Sequence, residues 1–179
     1  RFVTSGHSNI AIGKDAYGAA TIGIKNIAIG CNAANGITTG QADENIAIGT
    51  YALTGNASTT GNRNVAIGYG AFDAITTGEC NIALGTNALG AATTACDNIA
   101  IGQLALGAGI TTGANNIAIG LSPLDALTSG YNNIALGKNA LGAANTGIGN
   151  VAIGHAAGAS ITSASCAINI GYDVDNTVS

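Results

Sequence analysis

The 179 residues are 47% hydrophobic but only 8% charged and 4% aromatic, with 28 Gly, one Pro, four Cys and neither Met nor Trp. An ordinary soluble domain is about a quarter charged, and a disordered chain is poorer in apolar residues, so neither class fits. The net charge is −4, and the five basic residues at 1, 14, 25, 63 and 138 form no cluster. Phosphate binding needs clustered Lys and Arg, which argues against nucleic acid and anionic membranes as partners.

In chain order, residues 1–8 read as the tail of a preceding repeat. Ten copies of Asn-Ile-Ala-Ile-Gly or a close variant then fill residues 9–171. The first position is Asn9, Asn26, Asn45, Asn64, Asn81, Asn98, Asn116, Asn133 and Asn150, with Ala167 in that place in the tenth copy. The intervals run from 17 to 19 residues. A short period kept over the whole chain marks a solenoid in which one repeat is one coil. Residues 172–179 begin a following segment, and the chain as a whole reads as a piece of a longer polypeptide. No apolar run reaches the 18 or so residues of a membrane span, so no membrane insertion is expected.

Within a repeat, let the Asn be position 0. Position +1 is Ile or Val, +2 is Ala in nine copies and Asn169 in the last, and +3 is Ile or Leu. Alternation of β-branched residues with period two predicts a short strand, so the class is all-β, a β-solenoid of about ten coils. The +1 and +3 side chains share one face and Ala takes the other. A solvated face would be polar, so the Ala column is expected to be covered by something outside its own coil. A neighbouring subunit is the natural candidate, and a second sheet of the same chain is the alternative. Position +4 is Gly throughout: Gly13, Gly30, Gly49, Gly68, Gly85, Gly102, Gly120, Gly137, Gly154 and Gly171. These glycines, with Asn and Asp at corners, permit positive φ where the chain reverses.

A second motif at +7 and +8 runs from Ala16-Tyr17 through Ala52-Leu53 and Ala140-Leu141 to Ala157-Gly158. It reads as a second short strand or an inward corner with Leu filling the coil. Pro123 stands in the Ala place and is expected to make no ladder bond there. The repeat closes on Thr-Thr-Gly or a relative, as in Thr76-Thr77-Gly78. The extra residues of the three longer repeats fall beside that segment, which is therefore expected to face solvent. Coils stacked ~4.8 Å apart give a rod on the order of 48 Å long. Asn side chains in register can hydrogen-bond up the stack and tie coil to coil, so the Asn and Gly columns are the structural repeat positions.

Asn-Ile-Ala-Ile-Gly-x-x-Ala-Leu followed by Thr-Thr-Gly resembles the repeats of bacteriophage and other viral tail-fibre proteins. It is also similar, with a longer period, to the head repeats of trimeric autotransporter adhesins. The resemblance extends from Asn9 to about Gly171. It implies a left-handed parallel β-roll with three chains side by side and their short strands packed around a common axis. In such fibres the receptor-binding tip is a separate element.

Chemistry is sparse. The four cysteines, Cys31, Cys80, Cys96 and Cys166, lack metal-site spacing. A Cys80–Cys96 bridge between adjacent coils is conceivable, but reduced cysteines are the favoured reading. His7 and His155 occupy unrelated places in the repeat, and the acidic residues stand singly apart from Asp43-Glu44. Neither phosphate-loop motif nor the calcium-binding repeat occurs. Asn56-Ala57-Ser58 fits a glycosylation acceptor. No catalytic, metal or cofactor-binding constellation is found, so no cofactor and no enzymatic activity are expected. The leading expectation is a structural shaft or head segment of a homotrimeric extracellular fibre, a viral tail fibre or surface adhesin, that projects a receptor-binding element. Its partner would be itself, with a host-surface glycan or protein bound through parts outside this chain. Alternatives are a self-assembling filament or sheath subunit with stacked coil ends, an ice-binding solenoid, and a depolymerising enzyme built on a solenoid.

Overall fold

The computed structural model describes residues 6–18, 22–37, 41–56, 59–109 and 112–175. Ten three-residue strands occur, one per repeat: β1 (Ile10–Ile12), β2 (Ile27–Ile29), β3 (Ile46–Ile48), β4 (Val65–Ile67), β5 (Ile82–Leu84), β6 (Ile99–Ile101), β7 (Ile117–Ile119), β8 (Ile134–Leu136), β9 (Val151–Ile153) and β10 (Ile168–Ile170). They form one parallel sheet in sequence order. Equivalent residues pair without slippage, as in Ala66↔Ala83 and Ala83↔Ala100. The chain is thus an all-β solenoid, and coil k below is the turn that β-strand k opens.

The orientation of the strand corrects the sequence expectation. Ala28, Ala47, Ala66, Ala83, Ala100, Ala118, Ala135 and Ala152 are fully buried inside their own coils, in one core with the +7 and +8 residues. The outer face of the sheet is the Ile face, whose side chains are half-buried to exposed. No neighbouring subunit is needed to cover the Ala column. The physical reason lies at position 0, which shares a face with +2. From Asn26 to Asn150 the Asn side chains are buried, and each is held from both axial sides. Asn98 Oδ1 accepts the backbone N–H of Asn116 at 2.9 Å and the Asn116 Nδ2 at 3.0 Å. Asn98 Nδ2 donates to Asn81 Oδ1 at 3.2 Å and to the Gly113 carbonyl at 2.9 Å. The same pattern recurs up the stack. Amides satisfied so fully need a dry interior, and a strand that turns Asn inward must turn Ala inward with it.

The corners are built from left-handed residues. The +4 glycines all have φ between 124° and 139°. They also stack so closely that a Cβ on Gly85 would lie 2.6 Å from the Gly102 carbonyl oxygen. Among the described residues twenty-six non-glycine residues also have positive φ, at positions −1, +6 and +8 of successive coils. Outside glycine such backbone is uncommon, and for bulky residues it costs roughly 1–2 kcal/mol each. At +8 these residues include Tyr17, Leu53, Phe72, Leu89, Leu106, Leu124 and Leu141, not the Asn and Asp expected at corners. The left-handed turn aims each of their side chains into the core and each N–H along the axis. Leu53 N–H reaches the Ala71 carbonyl at 2.9 Å, in the next coil, while Tyr51 N–H reaches back to Cys31 at 3.0 Å.

The +7/+8 motif is therefore an inward corner and not a second strand. The N–H at +7 makes only a local bond to the +4 glycine, 3.3 Å for Ala88 to Gly85. Proline at 123 consequently interrupts no inter-coil bond, as expected. Interior volume is balanced around the coil. The Tyr17 hydroxyl occupies the space a Cβ on Gly23 would need, and the Phe72 ring stands 2.9 Å from the corresponding point on Gly78. The coil with small Ala34 compensates with buried Ile37 and Ala42. In the closing turn the second residue is exposed, as at Thr77 and Thr94, and the first is half-buried at Thr76 and Thr93 but exposed at Asn145 and Thr162, while Gly78 and Ala95 turn inward. Thr38-Thr39-Gly40 lies outside the described residues.

Candidate interaction surface

The outward +1 and +3 side chains form two parallel columns of ten. Sixteen of the twenty are Ile, with Val65, Val151, Leu84 and Leu136 completing them. The strip is about 43 Å long, from nine inter-strand steps of ~4.8 Å, with ~7 Å between its columns. Exposure is substantial in mid-rod, 37% at Ile67, 36% at Ile82 and 39% at Ile119, and reaches 63% at Ile168 and Ile170. Just past the glycine column, Tyr69, Leu121 and Tyr172 are exposed as well. The largest apolar patch on an ordinary monomer is ~300–600 Å² and is often functional.

The flank at −1 and −2 carries the basic residues Lys25 and Arg63 and the acidic residues Asp43, Glu44, Glu79 and Asp97. Lys25 pairs with Glu44 and Arg63 with Glu79, each at 3.0 Å and each between successive coils. The hydrogen bond from Lys25 holds the Glu44 carboxyl below its ordinary range. Asp43 Oδ1 accepts the Ile24 N–H at 2.8 Å, and the Asp43 N–H donates to Asn62 Oδ1 at 2.7 Å. The Asp43-Glu44 pair is thus spent on inter-coil contacts. On the opposite side, Tyr51 and Tyr69 meet edge to face with ring centroids 6.0 Å apart.

The remaining sequence candidates are dispersed. Cys31, Cys80, Cys96 and Cys166 are all free thiols, so no Cys80–Cys96 bridge is present. Cys80 instead accepts from Arg63 Nε at 3.4 Å. His155 stacks on Tyr172 at 4.9 Å, far along the chain from His7, which bonds its neighbour Ser8. Among the described residues no three His, Cys, Asp or Glu come together as a metal site. No helix among them is long and apolar enough to cross a membrane. Ala57 and Ser58 of the glycosylation triplet lie outside the described residues. Burial pushes the Tyr17 phenol up to about 12, while its hydroxyl accepts from Asn26 Nδ2 at 2.9 Å. This is a packing role inside the core, where Tyr17 is buried.

The Asn side chains from Asn26 to Asn150 lie inside the coil, Asn9 is half-buried, and the +4 glycines stand at the corner. The Ile strip is the surface that sequence reasoning assigned to the wrong side. The signal was present in the shared parity of Asn and Ala, because a buried amide ladder fixes which face is inner. Comparison with protein-family models, with curated proteins and with solved structures gave no match.

Proposed function

We propose that this chain is a structural segment, shaft or head, of an extracellular fibre such as a viral tail fibre or surface adhesin. It carries no chemistry of its own and projects a receptor-binding element borne elsewhere. The observation that carries this reading is the uninterrupted Ile strip along one side of a narrow, axially bonded rod. Copies laid side by side would cover the strip, and three around a common axis match the assembly implied by the repeat resemblance. A standard interface takes about 800 Å² per partner. At about 25 cal/mol/Å² of apolar area, about 60% of that interface, the burial is worth on the order of 12 kcal/mol per partner before association costs.

An ice-binding role gains no support from the threonines. Thr76 and Thr112 hydroxyls already donate to the Thr93 and Thr128 carbonyls, at 3.0 and 3.2 Å, and Thr59 is buried. The filament alternative keeps its own outcome in the test.

The test is the absolute mass of the native protein by light scattering behind a sizing column. It compares the parent with a triple variant, Ile99→Thr, Ile101→Thr and Ile117→Thr. Threonine keeps the β-branch that suits the strand and places three hydroxyls in the middle of the apolar strip. A three-chain parent that falls to single chains in the variant, with unchanged circular dichroism, is the expected result. A monomeric parent would overturn the side-by-side fibre, and open-ended polymers unaffected by the variant would favour end-to-end stacking.

A further inference from the structure

We infer that the solenoid opens only from its ends, because each coil is a conformation its own repeat cannot hold. Three positions per coil (−1, +6 and +8) sit in left-handed backbone, mostly with side chains that disfavour it. What holds them is outside the coil. The N–H at +6 donates to the coil before, as from Ser122 to Gln103 at 2.9 Å. The N–H at +8 donates to the coil after, as from Leu124 to Ala140 at 3.1 Å. The N–H at −1 donates backwards again, as from Asn132 to Ala114 at 3.1 Å. The Asn amide is likewise bonded in both directions.

The consequence follows from counting interfaces in a one-dimensional stack. Opening an interior coil breaks two inter-coil interfaces and relieves one coil of strain. Opening a terminal coil breaks one interface and relieves the same strain. In a stack of these ten coils alone, loss therefore begins at coil 1 or coil 10 and advances coil by coil, and the middle is shielded by everything outside it. Because these bonds run within one chain, the inference stands whether or not copies associate laterally.

The experiment is amide hydrogen exchange of the intact 179-residue protein, read by mass spectrometry coil by coil, with Ser122→Val as the variant. Residue 122 is left-handed, at +6 of coil 7, where a β-branched side chain is a genuine outlier. In the parent, protection in coils 5 and 6 should exceed that in coils 1 and 10 by at least about tenfold. In the variant, protection should fall about fivefold or more in coils 7 and 6. Coils 8 to 10 should match the parent, since they open before coil 7 is reached. Equal protection along the parent rod would overturn the inference, and so would a fall confined to coil 7 or shared by all ten coils. The parent gradient alone decides the matter if the variant does not fold.

Discussion

Replacing Asn98 by Ala measures what one rung of the interior ladder contributes. Asn98 is fully buried. Its Oδ1 accepts two bonds from Asn116, and its Nδ2 donates to Asn81 Oδ1 and to the Cys96 and Gly113 carbonyls. Truncation leaves the Asn116 backbone N–H buried without an acceptor, about 1–3 kcal/mol, and deprives the Gly113 carbonyl of a donor, about 1 kcal/mol. The space vacated beside small Ala residues adds about 1 kcal/mol. The expected loss is therefore about 3–5 kcal/mol, or roughly 6–20 °C in Tm for a chain of this length.

Asn98→Asp separates the acceptor from the donor. It keeps the oxygen that Asn116 uses and buries a carboxyl with no cation among the contacts of Asn98. Burial disfavours the charged form, so the folded pKa of this Asp lies above its unfolded value. Such a group destabilises the fold above the folded pKa, and that penalty vanishes below the unfolded pKa. The variant should accordingly stand nearer the parent at pH 3 than at pH 7. Urea unfolding at both pH values gives the two differences. A loss below about 1 kcal/mol for the Ala variant would refute the ladder as a main source of axial stability. A pH-independent deficit for the Asp variant would refute the dry interior.

Three further outcomes are expected. Gly85→Ala meets both positive φ and the Gly102 carbonyl, so it should cost more than about 3 kcal/mol, seen as loss of soluble folded protein. Ala156→Asn, at a left-handed +6 position where other coils already carry Asn32, Asn87 and Asn139, should raise Tm by about 1–4 °C in a thermal melt. Asp73 and Asp125 have carboxyls pushed up by burial. Their penalty is present above the folded pKa and absent below the unfolded one. Asp73→Asn should therefore raise Tm at pH 7 and leave it unchanged at pH 3, and an equal gain at both would contradict the burial cause.

The strands were legible residue by residue, because alternation over three positions repeated ten times leaves no helical alternative. All ten lie where Asn-Ile-Ala-Ile-Gly puts them, from Ile10–Ile12 to Ile168–Ile170. The facing of Ile46 and Ala47 is not legible from apolarity, since both faces of the strand are apolar. In a coil this thin the interior admits only small residues on the strand side, and Asn45 beside them decides the matter. The left-handed Leu53, Phe72 and Leu89 could not be foreseen from local preference, which assigns such backbone to Gly and Asn. Tertiary bonds to the next coil override that preference. The balance of Tyr17 against Gly23 and of Ala34 against Ile37 was equally hidden, since it depends on which positions meet across the coil.

The outward Ile columns require a reason beyond the coil itself. The stack covers these side chains only in part: Ile82 is 36% exposed and Ile119 39% exposed, and the backbone ladder runs through the main chain. Thr would serve the strand nearly as well, having the same β-branch, and the sequence uses Thr freely in the closing turns. Yet no +1 or +3 position in ten coils carries Thr, Lys or Glu, the residues that commonly blunt or solvate an exposed sheet. An apolar strip kept through ten rows, beside a flank that carries the Lys25–Glu44 and Arg63–Glu79 ion pairs, has the composition of a surface meant to be covered. The same parity that sends Asn and Ala into the coil leaves the Ile strip on the outside, so axial cohesion and lateral association would be carried by alternate residues of one three-residue strand.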